Sequence, residues 1–375
     1  MSLEPDVVLR QVRALPADLR TLLPAIEAQV REVLPSGEPA VRNVYLTGVG
    51  DSYHAGRAAE LAFVRLAGVR CRPVGAQRFA LYSEPEQMTA ADLVIGVSAS
   101  GGTERVVEAL ARARSAGCRT LAVTGRPDSA VDRVAHAGIT AQLPDDERSP
   151  GIRTYQASLL GLLSTALRLA ELGGAGEQET ARARDELWAA TDVLAATNEA
   201  LSTDAAAGVG ELSAGVTAVV GSGPSHGTAQ FAAAKLVETA GVPAFAQDLE
   251  EWWHVERFIR PVDNPLVVVA PPGRSRQRAE ALAARAAGIG RRVITVQDRD
   301  DVSLARHSRV VLAVQGQVRE EFSPVVYHCF ASFLAAGLAQ RLDRRPFLTD
   351  LPGGSPAVAP APVPAVGALS EEVNR

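Results

Sequence analysis

One stretch of this chain has the residue types of an anion cradle. Ser98-Ala-Ser100-Gly-Gly-Thr103 directly follows the apolar run 93–97 and directly precedes a helical stretch starting near Glu104. A helix N-terminus presents unpaired backbone N–H groups and partial positive charge. Ser and Thr hydroxyls add donors, and Gly101 lets the backbone approach a ligand closely. A phosphate fits such a turn, although helix capping alone also favours Ser, Thr and Gly. Two more turns lie at the same ends of their strands, Gly48-Val-Gly50-Asp-Ser52-Tyr-His54 and Ser149-Pro-Gly-Ile-Arg153-Thr154. Ligands of open α/β sheets bind at that edge. Farther on, Lys235 and Glu238 stand three residues apart on one helical face, and Lys235 is the only lysine in the chain. A pair at that spacing serves either as an ion pair or as an acid and a base. His254, after Trp252 and Trp253, is suited to proton transfer near neutral pH or to packing at an interface.

The elements that position these residues occur twice. Gly48, Gly50, Ser52 and Val64 recur as Gly221, Gly223, Ser225 and Val237, at one offset (221 − 48 = 173). The register continues through Leu93/Leu266, Gly117/Gly290 and Asp128/Asp301. Apolar runs at 44–46, 93–97, 120–123 and 139–143 alternate with helical stretches, and 217–220, 266–270, 293–296 and 310–314 repeat them. That alternation predicts an α/β protein of two tandem domains, each a flavodoxin-like parallel sheet flanked by helices. The expected division is a helical arm at 1–40, a first domain at 41–172, a helical connection at 173–205, a second domain at 206–351 and a Pro/Ala-rich tail at 352–375. Pro16 and Pro24 punctuate the arm. Helices are expected over 155–172, 178–201 and 325–342. The second copy has Pro271-Pro-Gly-Arg-Ser-Arg276 where the first has Ser98 to Thr103, so capping does not require the hydroxyl pattern.

Composition narrows the function. With 38 Lys and Arg against 43 Asp and Glu, and no basic run among aromatics, no nucleic-acid partner is expected. Three scattered cysteines fit neither a disulfide framework nor a zinc site. No leader or membrane-length apolar run is read, so no membrane association is expected and a cytoplasmic location is.

The Gly50-Asp-Ser52-Tyr-His-Ala-Gly56 turn, the Ser98-x-Ser100-Gly-x-Thr103 loop and the repeat resemble the sugar isomerase (SIS) superfamily. The likeness, over residues 44 to about 351, is to the double-domain isomerase half of glucosamine-6-phosphate synthase, without its glutaminase domain. It implies a sugar-phosphate ligand, no metal or other cofactor, and a homodimer with Trp252, Trp253 and the arm as contacts. Phosphate and sugar contacts would fall to Gly50, Ser52, Ser98, Ser100, Gly101, Thr103 and Arg153. Ala233-Ala-Lys235-Leu-Val-Glu238 resembles the family's catalytic helix, which makes Glu238 the expected base, with Lys235 beside it. Glu251-Trp-Trp-His254 resembles a segment whose His opens the sugar ring, in its own or a second subunit. His54 and His226 are secondary candidates. Ala99 and Gly102 depart from the synthase loop, and no lysine follows Lys235. The expected activity is therefore not the synthase reaction but ketose/aldose or amino-sugar phosphate isomerisation, with or without loss of an amine. A fructosamine-phosphate deglycase and a non-catalytic phosphosugar sensor are the alternatives.

Overall fold

The computed structural model describes residues 3–37, 39–84, 87–145, 147–212 and 215–351. The expected tail lies outside the described residues. Helix α1 (Asp6–Val33) precedes strands β1 (Asn43–Gly48), β2 (Arg70–Gly75), β3 (Asp92–Ser98), β4 (Arg119–Thr124) and β5 (Ala137–Thr140). These form one parallel sheet in the order β2-β1-β3-β4-β5. Helices α2 (Asp51–Arg65), α3 (Ala76–Tyr82), α4 (Glu104–Ser115) and α5 (Ala130–Val134) connect them, and α6 (Arg153–Leu172) follows. Helix α7 (Glu177–Glu211) leads into β6 (Thr217–Val220), β7 (Ala244–Gln247), β8 (Pro265–Ala270), β9 (Arg292–Asp298) and β10 (Val310–Val314). The second sheet is parallel in the order β7-β6-β8-β9-β10, the order of the first. Its helices are α8 (Pro224–Ala240), α9 (Leu249–His254), α10 (Arg276–Gly288), α11 (Val302–Ala305), α12 (Pro324–Tyr327) and α13 (Phe330–Arg341).

The structure departs from the sequence reading where tertiary packing outweighs local signals. Pro16 and Pro24 lie inside one continuous α1, whose stripe Val8, Val12, Leu15, Leu19, Leu23, Ile26 and Val30 is buried. Burial of that face outweighs the backbone hydrogen bonds that proline removes. Moved by 173 residues, α1 falls on 179–206, inside α7, so the arm and the connection are one element used twice. Helix α7 continues past residue 205 to Glu211, and the helix expected over 325–342 is broken between α12 and α13. Strands β2 and β7 were not anticipated. They are edge strands with half-exposed faces, so neither has the apolar run that marks a central strand.

Side-chain alternation along the strands sorts the core into layers. Leu93, Ile95 and Val97 of β3 and Val267 and Val269 of β8 face one central core shared with α1, α2, α6, α7, α8 and α13. On the outer faces, Val94 and Ala122 lie beneath α3, α4 and α5, while Leu266 and Val268 lie beneath α9, α10 and α11. Trp252 belongs to the latter core at 1% exposure, and the apolar stripe of α1 is turned inward. Trp252 is therefore not the exposed dimer contact expected from sequence, whereas Trp253 stays half-exposed with Arg257 and Arg285 over its ring. The stretch 320–341 is apolar and long enough to cross a membrane, and it is packed inside the chain as a core helix.

The two halves meet where α2 crosses α8. A Cβ on Gly227 would lie 2.5 Å from the backbone nitrogen of Ala58, so the helices touch backbone to backbone there. Gly227→Ala is expected to force them apart and lower stability by about 1–3 kcal/mol, the usual cost of overpacking. Urea unfolding of the purified variant measures it.

Candidate functional site

The first turn of each half has the same unusual backbone. Gly50 has φ 55° and ψ −128°, and Gly223 has φ 57° and ψ −130°, a region that glycine alone occupies comfortably. The bend starts α2 and α8 directly at the ends of β1 and β6. It thereby places Asp51 and Ser52 in the first turn of α2, at the carboxyl edge of the first sheet.

Across that edge, the loop after β3 is braced from within. Ser98 is buried, and its Oγ shares a 2.8 Å hydrogen bond with Thr103 Oγ1. Gly101 takes φ 72°, and a Cβ there would collide with Ser129 in the neighbouring loop. Ser100 stays exposed and lines a cavity of about 590 Å³ with Arg126, Asp145, Thr154 and Ser158. Ser98 and Thr103 thus shape the loop while Ser100 faces the open space. The sequence reading did not single out Arg126.

The charged groups of the two halves converge beside this edge. Lys235 Nζ, fully buried, donates to Asp51 Oδ2 at 2.6 Å and to Glu238 Oε2 at 2.5 Å. Its ammonium also lies 5.0 Å from the centroid of Phe231, which stacks on Tyr155. His54 Nδ1 is 3.5 Å from Asp51 Oδ1, and His54 and Glu238 line a second opening of about 360 Å³ with Gln230 and Ala246. A Cβ on Gly151 would be 2.7 Å from Asp51 Oδ2 and 3.0 Å from Thr154 Oγ1, so the turn before α6 links the larger cavity to the carboxylates.

Burial opposes every charge in this cluster, and the partners decide which survive. The pKa of Lys235 is lowered by burial, but Asp51 and then Glu238 more than reverse this and it ends above its ordinary value. Burial pushes Asp51 up, yet Lys235 and His54 hold it below the usual carboxylate range. Glu238 ends higher than usual, because burial and the nearby Asp51 charge outweigh Lys235 and His54. The result is a fixed Asp51–Lys235 ion pair beside a carboxylate that takes up a proton more readily.

The matched loop of the second half is occupied by the chain itself. The backbone N–H of Arg274 donates to Glu320 Oε1 at 3.1 Å, and a Cβ on Gly273 would lie 2.4 Å from Glu320 Cδ. The residue 173 positions earlier, Glu147, is instead drawn to Arg10, at 2.6 Å, on α1. One loop is open and the other holds a carboxylate.

The remaining candidates lie elsewhere. Arg153, expected to contact phosphate, is 5% exposed and its guanidinium is bound to Asp18 (2.5 and 2.8 Å) and Asp145 (2.6 Å). It ties α6 to α1. His254 projects into solvent with Nε2 3.1 Å from Glu250, and the histidine at the Asp51–Lys235–Glu238 cluster is His54. His226 Nδ1 accepts from Arg57 Nη2 at 2.9 Å, a second contact between the halves. Asp51 was missed because the cation it pairs with, Lys235, is 184 residues away. Its place in a glycine-rich turn beside Ser52 was the only local signal.

Comparison with known proteins agrees with this arrangement. Residues 40–168 match the SIS domain family. The chain is 27% identical over 303 residues to the isomerizing glutamine–fructose-6-phosphate aminotransferase of Gloeobacter violaceus, covering 80% of the chain and 49% of that protein. The chain spans about half the length of the curated relatives it matches. Among solved structures, the C-terminal domain of glucosamine-fructose-6-phosphate aminotransferase from Francisella tularensis superposes with a TM-score of 0.77 at 19% identity, over 90% of this chain and 96% of that one. Tagatose-6-phosphate ketose/aldose isomerase from Escherichia coli gives 0.67 at 16% identity, over 90% and 93%. The fold is thus that of SIS proteins, and the sequence similarity is to the isomerase half of an aminotransferase.

Proposed function

We propose that the chain is a sugar-phosphate isomerase built from two SIS domains in tandem, 41–172 and 206–351, and active as a homodimer. In this reading Ser100, with the backbone of Gly101 and the Ser98–Thr103 brace, binds the phosphate. Gly50 and Ser52 approach the sugar. Glu238 removes a proton from the carbon beside the carbonyl, the C–H electrons form the C=C of an enediol or enamine, and the C=O π electrons pass to the carbonyl oxygen, which takes a proton. The carbon proton then returns to the former carbonyl carbon as the neighbouring O–H or N–H loses its proton to form the new C=O or C=N. His54, or His254 from a second copy, serves ring opening. One observation carries the reading: Lys235 joins Asp51 of the first half to Glu238 of the second, and the Gly151–Thr154 turn lies between Asp51 and the cavity that Ser100 lines.

Deuterium exchange at C1 and C2 of fructose 6-phosphate, glucosamine 6-phosphate and fructosamine 6-phosphate in heavy water tests it. Exchange on at least one compound is expected, and none on any of them removes the isomerase reading. Ser100→Ala is expected to weaken that compound about 10- to 100-fold, the loss of one hydrogen bond to a charged group. Calorimetric titration of the variant provides the number. A protein stabilised by these phosphosugars yet inert in the exchange assay is a sensor.

A further inference from the structure

Asp51 is the group in this cluster that neither local sequence nor resemblance assigned. Its carboxylate comes from the first turn of α2, while Lys235 and Glu238 lie on α8, and among the described residues only Asp51 hydrogen-bonds Lys235 Nζ from the opposite half. We infer that Asp51 is a positioning residue: it holds the Lys235 ammonium between the two carboxylates and thereby leaves Glu238 free to exchange a proton. This inference deepens the isomerase reading and rests on it for the word exchange, but not for the charge of Lys235.

The geometry supports it in three ways. Lys235 has no exposed surface, so its charge depends on protein partners alone. Asp51 is the less exposed of those two partners, 20% against 34% for the Glu238 side chain. Glycine at 151 keeps space for Asp51 Oδ2. The other titratable groups facing the cluster are His54 on α2 and Tyr155 on α6, whose phenol, unbonded among the described residues, is pushed up by burial and by Asp51. Neither supplies a second anion at neutral pH. With Asp51 uncharged, Lys235 would pair with Glu238 alone, and both effects, a closer cation and a lost anion, would make Glu238 a weaker base.

The chain's single lysine makes this measurable without a substrate. Protein grown with ¹⁵N-lysine gives one Nζ signal, that of Lys235. In Asp51→Asn that signal is expected to lose its proton at lower pH than in wild type, and Asp51→Glu to restore most of the difference. Asp51→Ser serves the same purpose should Asp51→Asn not fold. Superimposable titrations in the folded neutral variant and wild type would falsify the inference. In the exchange assay on fructose 6-phosphate and glucosamine 6-phosphate, Asp51→Asn is expected to be roughly 10- to 100-fold slower, with its acid limb moved to lower pH and partial rescue by Asp51→Glu. A shifted Lys235 titration in a protein that exchanges no proton on either compound would sink the isomerase reading and uphold the role of Asp51.

Discussion

Glu238→Gln is expected to lower C1–C2 proton exchange by about 10²- to 10⁴-fold while changing phosphosugar affinity by only a few-fold. The substitution keeps the side-chain volume and a hydrogen-bond acceptor for Lys235, which retains Asp51 as its ionic partner. It removes only the ability to accept the substrate proton. Because the pKa of Glu238 is raised above 4.5, the base is lost as pH falls through that raised value, so activity of the wild type should decline on the acid side above the ordinary carboxylate range. The pH profile of kcat/KM and the exchange rate at saturating substrate check both statements. Unchanged turnover in the variant would remove Glu238 from the chemistry.

Arg153→Ala is expected to destabilise the fold by about 3–5 kcal/mol, since it leaves the Asp18 carboxylate, only 6% exposed, without its counter-charge. The effect is on the fold, because Arg153 fastens α6 to α1. Replacing both members, Asp18→Leu with Arg153→Met, should recover most of the loss, as an apolar pair of similar size avoids desolvating two ions. Guanidinium denaturation midpoints separate the variants. Phosphosugar affinity measured where Arg153→Ala is folded should stay near wild type, whereas a residue touching phosphate would weaken it 10-fold or more.

These two residues also mark what the sequence made legible. Glu238 stood out because its helix resembles the family's catalytic helix and carries Lys235, the chain's single lysine, three residues earlier. Ser98, Ser100 and Thr103 were readable because they sit between a buried run and a helix, and the second copy lacks them. Arg153 was misread. Its turn lies at the ligand edge, but its partner Asp18 is 135 residues away, and no local pattern reports such a pairing. The same separation hid Asp51 and gave His254 prominence over His54, because a motif reveals residue type and neighbours, not what packs across the crossing of α2 and α8. Strands β2 and β7 escaped for a simpler reason. An edge strand covered on one side needs no apolar run.

The Lys235–Asp51 contact also sets an order of events during synthesis. The two residues are 184 positions apart, so at roughly 5–20 residues per second Asp51 is made about 10–40 s before its cation. Once the chain has been made through α6, the first half has its serine loop and Asp51 but not yet Lys235 or Glu238. The helix that brings Glu238 into the fold is thus also the one that brings the ammonium paired with Asp51.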